Sequence, residues 1–127
     1  MKVVRVVAAI VESEGRYLVT RRQPGVHLEG LWEFPGGKVD ATETHEQALR
    51  REMSEELGVD VAVEGLCLST SHEYDDRTVT LYFYRCSLTG APLPQMGQEM
   101  RWVARKDLRA LEFPAADRDL IALLTNP

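Results

Sequence analysis

These 127 residues predict a mixed α/β chain, either α+β or a mixed-sheet α/β/α arrangement, on three observations. β-Branched and apolar runs recur at residues 3–11, 17–20, 59–70 and 78–87. One segment, residues 44–57, repeats apolar residues at helical spacing. The two kinds of signal do not alternate regularly, as a doubly wound sheet would require.

Taken in order, residues 3–11 suit a buried strand, Ser13-Glu14-Gly15 supplies a turn, and residues 17–20 resume strand character, so the two runs are expected to form a hairpin. Residues 23–30 carry Pro24, Gly25 and Gly30 without periodicity and read as a loop, followed by a short extended stretch at 31–34 and by Pro35-Gly36-Gly37. The helix enters through Thr42 or Thr44, with Glu residues near its positive end, and stops at Gly58. Ala48, Leu49, Met53 and Leu57 form its apolar side. The strand at 78–87 alternates Val79, Leu81 and Phe83 against Thr80, Tyr82 and Tyr84, after a charged, solvent-facing connector at 73–77. Residues 89–97 are a Gly- and Pro-rich loop, 100–104 a strand around Trp102, and 106–111 and 117–124 helices. No internal repeat or low-complexity tract is present.

The length fits a single domain with one core. Fifteen Lys and Arg against twenty Asp and Glu give a net charge of −5, which disfavours nonspecific binding to a nucleic-acid polymer and leaves a free nucleotide as the better-matched partner. Cys67 and Cys86 form no CxxC pair and lie in apolar strand-like runs, so both are expected to be reduced core residues. The chain opens on a strand pattern without a basic leader, and no apolar run approaches bilayer-spanning length, so a cytoplasmic location away from membranes is expected. Nothing in the pattern specifies an oligomeric state.

The chemistry concentrates in residues 37–59. Glu52, Glu55 and Glu56 fall within about 100° of one another around a helix axis, so their oxygens are expected to converge on one point. Like charges at that spacing repel unless a cation compensates, and hard divalent cations take oxygen ligands. The absence of Cys and His among them argues against zinc. The plainer alternative is a solvated acidic face.

The same stretch reads Gly37, five residues, Glu43, seven residues, then Arg51-Glu52-Met53-Ser54-Glu55-Glu56-Leu57-Gly58-Val59. It matches the Nudix box G-x5-E-x7-R-E-U-x-E-E-x-G-U, with U apolar, at every position. The chain therefore resembles the Nudix hydrolases. Residues 3–11, 18–22, 31–38 and Phe113-Pro114-Ala115-Ala116-Asp117 also resemble the MutT branch of that family. The resemblance implies the Nudix fold, an α/β/α sandwich around a mixed sheet.

It also implies roles. Glu52, Glu55 and Glu56, joined by the Gly36 carbonyl, would hold Mg²⁺ or Mn²⁺, and Arg51 would orient those carboxylates, with a surface ion pair as its plainer reading. Glu43 reads as a structural cap or dipole partner. Pro35 and Gly36 would bring backbone close to the substrate, and Lys38 and Arg77 would meet its phosphates. Arg22, His27, Glu33 and Phe34 would line the nucleotide, although Phe34 also reads as core and His27 as a solvated loop residue. Asp117 occupies a position where the guanine-oxidation branch can carry Asn and the cytidine-nucleotide branch carries Asp, with helix N-capping as the plainer role.

One departure stands out. MutT-like chains often place a further glutamate six residues before the tryptophan matching Trp102, and this chain has Met96 there. Glu99 and Glu73 are possible substitutes, and the general base is left open, with Glu55 able to serve. The implied activity is a Mg²⁺- or Mn²⁺-dependent nucleoside triphosphate pyrophosphohydrolase releasing the monophosphate and pyrophosphate, of the 8-oxo-dGTP sanitation type. The alternatives are the same chemistry on CTP, dCTP or 5-methyl-dCTP and, from another class, a noncatalytic nucleotide-binding module.

Overall fold

The structure is a computed structural model and describes residues 2–126. Its strands are β1 (Lys2–Ile10), β2 (Glu12–Ser13), β3 (Arg16–Arg21), β4 (Trp32–Glu33), β5 (Gly36–Lys38), β6 (Val61–Glu73), β7 (Arg77–Leu88) and β8 (Met100–Ala104), and its α-helices are α1 (His45–Leu57) and α2 (Arg118–Thr125). β1 is central because both of its faces are apolar. Val7 and Ala9 bury towards α1, while Ala8 and Ile10 bury towards α2.

A strand buried on both faces takes partners on both edges. β1 pairs antiparallel with β5 and parallel with β7, and β6 pairs antiparallel with β7, so the mixed sheet runs β5-β1-β7-β6. The expected hairpin is accordingly confined to β2 and β3, where Glu12 faces Tyr17 and Ser13 faces Arg16 around a turn with φ of 53° at Glu14 and 77° at Gly15. Positive φ at both central residues is the hairpin geometry that matches strand twist. A second sheet joins β2, β4 and β8 to β3.

Two apolar clusters sandwich these sheets. Ala48, Leu49, Met53 and Leu57 of α1 pack with Val7, Ala9, Val11, Leu18 and Cys86. Leu120, Ile121 and Leu124 of α2 pack with Ala8, Ile10, Tyr17, Val19, Phe83 and Leu108. Each fully buried aliphatic side chain contributes roughly 1.5–3 kcal/mol. The fold is thus an α/β/α sandwich. The helix expected at 106–111 is a 3-10 segment, Arg105–Ala110, and a second 3-10 turn, Ala115–Asp117, follows Pro114 and leads into α2. Both cysteines are free; Cys86 is buried, which pushes its thiol up to about 12, and Cys67 is half-buried. Among the described residues no helix is long and apolar enough to cross a membrane.

α1 begins where a local signal sets it. The Thr44 hydroxyl accepts from the Gln47 N–H at 3.1 Å, and the Gln47 side-chain carbonyl accepts from the Thr44 N–H at 2.9 Å, a reciprocal capping box that settles entry at Thr44 rather than Thr42. Gly58 ends the helix at φ 61°, its N–H turned back to the Met53 and Ser54 carbonyls. Thr44→Ala should cost about 1 kcal/mol of unfolding free energy, read from a urea midpoint with unchanged slope; an unaltered midpoint would show that the box does not hold the helix.

Candidate active site

The Glu-rich face of α1 lies against β5, and glycine makes that approach possible. A Cβ at Gly37 would collide with the Glu52 carboxylate, and one at Gly36 would collide with the Val7 carbonyl. Glu52 therefore rests directly on bare backbone, and the Gly36 N–H hydrogen-bonds to Glu56.

Arg51 organises the acids around this contact. Its Nε and Nη2 donate to the two Glu43 oxygens at 2.6 and 2.8 Å, Nη1 donates to Glu52 at 2.8 Å and to Glu55 at 3.4 Å, and Nη2 also donates to the Lys38 carbonyl at 3.0 Å. All five guanidinium N–H groups are engaged. The Arg51 hydrogen bonds hold the Glu43 carboxyl down to about 2, and Glu43 also accepts from the Asp40 N–H at 2.9 Å, pinning the turn before α1.

The three box carboxylates do not converge. Relative to Glu52, Glu56 is rotated about 40° towards the buried side of α1 and Glu55 about 60° towards solvent. Glu55 is accordingly 59% exposed, against 17% for Glu52. Glu52 and Glu56 do meet, in a hydrogen bond between their side chains. Burial first, then Glu52, pushes the Glu56 carboxyl up to about 9, and its Oε2 is buried with no hydrogen-bond partner. Among the described residues no three Asp, Glu, His or Cys side chains are grouped closely enough to form a cation cage on their own. The donors that could hold an ion are the Glu52 and Glu56 pair beside the Gly36 backbone.

A second acidic group lies alongside. Glu33, at the end of β4, is raised by burial, an effect that Arg22 opposes, and it feels the charge of Glu52. Arg22 Nη1 contacts both of its oxygens, at 3.2 and 3.1 Å. Asp117 is 7% exposed, and burial with the Glu33 charge pushes its carboxyl up to about 7. Its side chain does not cap α2.

A profile of the NUDIX domain matches residues 6–123. The chain belongs to the Nudix family. Over 98% of its length it is 39% identical to the 8-oxo-dGTP diphosphatase of Haemophilus influenzae, spanning 93% of that protein. It is 36% identical to the CTP pyrophosphohydrolase of Escherichia coli over 94% of its length and 88% of that protein. The solution structure of the E. coli ORF135 protein matches with a TM-score of 0.84 at 34% identity, covering 98% of this chain and 87% of that one. The protein is a MutT-like Nudix hydrolase.

On the Nudix scaffold the remaining expected residues separate into near and far groups. Arg22 is near, anchored by Glu33 and by its Nε to the His27 carbonyl, while the His27 side chain is exposed. Phe34 is 4% exposed, stacked on Phe113 at 5.3 Å and edge-on to Phe83 at 6.5 Å, so it is a core ring without a free face. Pro35 is fully buried and accepts from the Ala9 N–H at 2.8 Å; Lys38 is exposed, and it is its carbonyl that Arg51 binds. Arg77 is far. Gly36 is level with Ala8 and Phe83 across the sheet, and Arg77 heads β7 six residues before Phe83, about 20 Å along the strand.

The possible substitutes for Met96 are distant or engaged. Glu73 sits opposite Thr78 at the far end of β6, and Glu99 is held by Arg21 at 3.1 Å and Arg101 at 3.5 Å. Sequence reasoning missed Gln98, a buried amide bonded to the Glu56 carbonyl at 2.9 Å; only its place four residues before Trp102, at the mouth of β8, hinted at a built position.

The raised Glu56 carboxyl fixes the sign of a stability trend. Its ordinary value is 4.5, so between about 4.5 and 9 the folded chain holds a proton that the unfolded chain releases, and stability falls as pH rises. The groups facing it are Glu52, Glu33 and the Gly36 N–H. In chelator, the thermal midpoint should decline from pH 5 to pH 9, and Glu56→Gln should flatten the decline and raise the midpoint at pH 8 by about 4 °C per kcal/mol recovered. An unchanged slope in the variant would refute the buried, raised Glu56 carboxyl.

Proposed function

We propose that the protein is a Mg²⁺- or Mn²⁺-dependent nucleoside triphosphate pyrophosphohydrolase that clears 8-oxo-dGTP-type nucleotides from the precursor pool. The observation that carries this reading is the Glu52 and Glu56 pair, with Glu52 held by Arg51 against the bare backbone of Gly37 and one buried Glu56 oxygen unsatisfied. Two adjacent carboxyls beside bare backbone, one of them raised by burial, are a donor set for a hard divalent cation, which displaces the carboxyl proton on binding. Glu52, Glu56 and the Gly36 carbonyl would hold it. When bound, such an ion neutralises charge on polyphosphate oxygens and makes water nucleophilic at neutral pH.

The chain's own groups supply the rest. Glu55, exposed beside the pair and restrained by Arg51, takes the proton of the attacking water. The new bond forms between that water oxygen and phosphorus, a bridging P–O bond breaks, and the nucleoside monophosphate and pyrophosphate depart. Lys38, on the strand that carries Gly36 and Gly37, offers its ammonium to the phosphates. Arg22 and Glu33 fix the wall beside the nucleotide, His27 stands in the flanking loop, and Asp117 reads the base.

The base preference rests on the 8-oxo-dGTP diphosphatase relative at 39% identity. A second reading, cytosine nucleotides, is favoured by Asp117 itself and by the CTP pyrophosphohydrolase relative. An ionised carboxylate only accepts hydrogen bonds, which suits the paired N–H donors on a guanine-type edge. A protonated one also donates, which suits the adjacent acceptor and amino group of cytosine. With Asp117 poised at about 7, the ratio of cytosine to guanine-type kcat/KM should fall as pH rises through neutrality.

The deciding experiment measures kcat/KM for 8-oxo-dGTP, dGTP, CTP, dCTP and 5-methyl-dCTP with Mg²⁺ or Mn²⁺, across pH 6–8. Glu52→Gln and Glu56→Gln should each lower it by about 10²–10³-fold on every nucleotide. Asp117→Asn should shift base preference by at least about tenfold and abolish its pH dependence. Sanitation is ruled out if 8-oxo-dGTP is no better than dGTP, and the pyrophosphohydrolase reading is ruled out if the whole panel binds without turnover.

A further inference from the structure

Gln98 is 7% exposed, and both ends of its amide are used. Nε2 donates to the Glu56 carbonyl at 2.9 Å, and Oε1 accepts from the Met96 N–H at 3.0 Å. The last carbonyls of a helix have no partner within it. At the end of α1 the Glu56 and Leu57 carbonyls are served by one segment, residues 93–98: the Glu56 carbonyl also accepts from the Gln95 N–H at 2.9 Å, and the Leu57 carbonyl accepts from the Leu93 N–H at 2.8 Å.

That segment is anchored in turn to the loop beside the nucleotide wall. Gln23 Nε2 donates to the Met96 carbonyl at 2.8 Å, and the Arg21 N–H donates to the Glu99 carbonyl at 3.0 Å. A continuous path therefore runs from residues 23–30, the loop holding His27, through Gln23, Met96 and Gln98 to the backbone of Glu56. The Glu56 carboxyl is crowded into a buried position beside Glu52 and Glu33 and has an unsatisfied oxygen. Fraying of the last helical turn would relieve that crowding by releasing Glu56 from the Gly36 backbone. The Gln98 amide opposes such release, because freeing it would leave buried polar groups unpaired.

We propose that Gln98 is a positioning residue for the Glu56 carboxylate: its amide locks the last turn of α1 to residues 93–98 and thereby sets the affinity of the site for a divalent cation. The inference rests on the assignment of Glu56 to that cation under the proposed function. Gln98 acts through the Glu56 backbone, so its loss should loosen ion binding more than it slows the chemistry of the loaded enzyme.

The test uses Gln98→Met, which keeps the volume and removes both hydrogen bonds, and Gln98→Asn, which keeps the amide but shortens its reach. Bound Mn²⁺ is read by the electron paramagnetic resonance signal of the free aquo ion, alongside thermal midpoints and Mn²⁺-dependent turnover. Both variants should bind Mn²⁺ about tenfold more weakly than the wild type. Both should need correspondingly more Mn²⁺ for half-maximal rate and regain kcat to within about twofold at saturation. A merely structural role would instead lower the thermal midpoint and the active fraction at every Mn²⁺ concentration. Wild-type Mn²⁺ affinity in Gln98→Asn, or turnover that saturating Mn²⁺ does not restore, overturns the proposal while leaving the function standing. Absence of Mn²⁺ uptake by the wild type removes Glu56 as a ligand and overturns both.

Discussion

Five hydrogen bonds from one guanidinium hold the acidic end of this molecule together. Arg51 binds Glu43 through both oxygens, reaches Glu52 and Glu55, and takes the Lys38 carbonyl, so a single planar cation joins the turn before α1, the helix itself and β5. Acids at three- and four-residue spacing destabilise an isolated helix. Here a group charged at every accessible pH compensates them, in a geometry that lysine cannot reproduce because it lacks the fork. The ion pairs are only partly screened, with Arg51 29% and Glu43 15% exposed.

That clasp works against a second constraint, the bare backbone of Gly36 and Gly37. Because Gly37 carries no Cβ, Glu52 lies directly on the backbone of β5, and because Gly36 carries none, β5 packs closely on β1; beside them the Glu56 carboxyl is desolvated, raised and left with an unsatisfied oxygen. A polar atom in that condition destabilises the fold, which is the expected signature of a functional position rather than a packing one. Asp117 is a milder case on the far side of Glu33: a buried carboxyl that does not cap the helix it precedes. On the proposed reading the two raised carboxyls, one beside the glycines and one at the head of α2, would mark an ion-binding end and a base-reading end of the site.

What could be read from the residues alone follows the range of the interaction concerned. α1 was legible almost to the residue because its start and stop, Thr44 with Gln47 and the left-handed Gly58, are local. The Nudix family was legible because the box spacing is dense. The hairpin was misjudged since β1 chooses its partners, β5 and β7, from far along the chain, and alternation within β1 does not reveal that both faces are covered. Convergence of three carboxylates was inferred from helical angle, but burial on one flank and solvent on the other separate Glu56 from Glu55. Phe34 and Arg77 were placed by motif, whereas the structure puts the first in the core between Phe83 and Phe113 and the second at the remote end of β7. Gln98 was nearly invisible because a buried amide is recognised by its partners, and the decisive one, the Glu56 carbonyl, lies forty-two residues away on another element.

The proposed function predicts where an ion would sit, and anomalous scattering from crystals soaked in Mn²⁺ tests it directly. The account predicts a strong peak between the Glu52 and Glu56 carboxylates and within coordinating distance of the Gly36 carbonyl. A map with no peak there, or with its principal peak on Glu55, Glu73 or Glu99 away from the glycines, would contradict it.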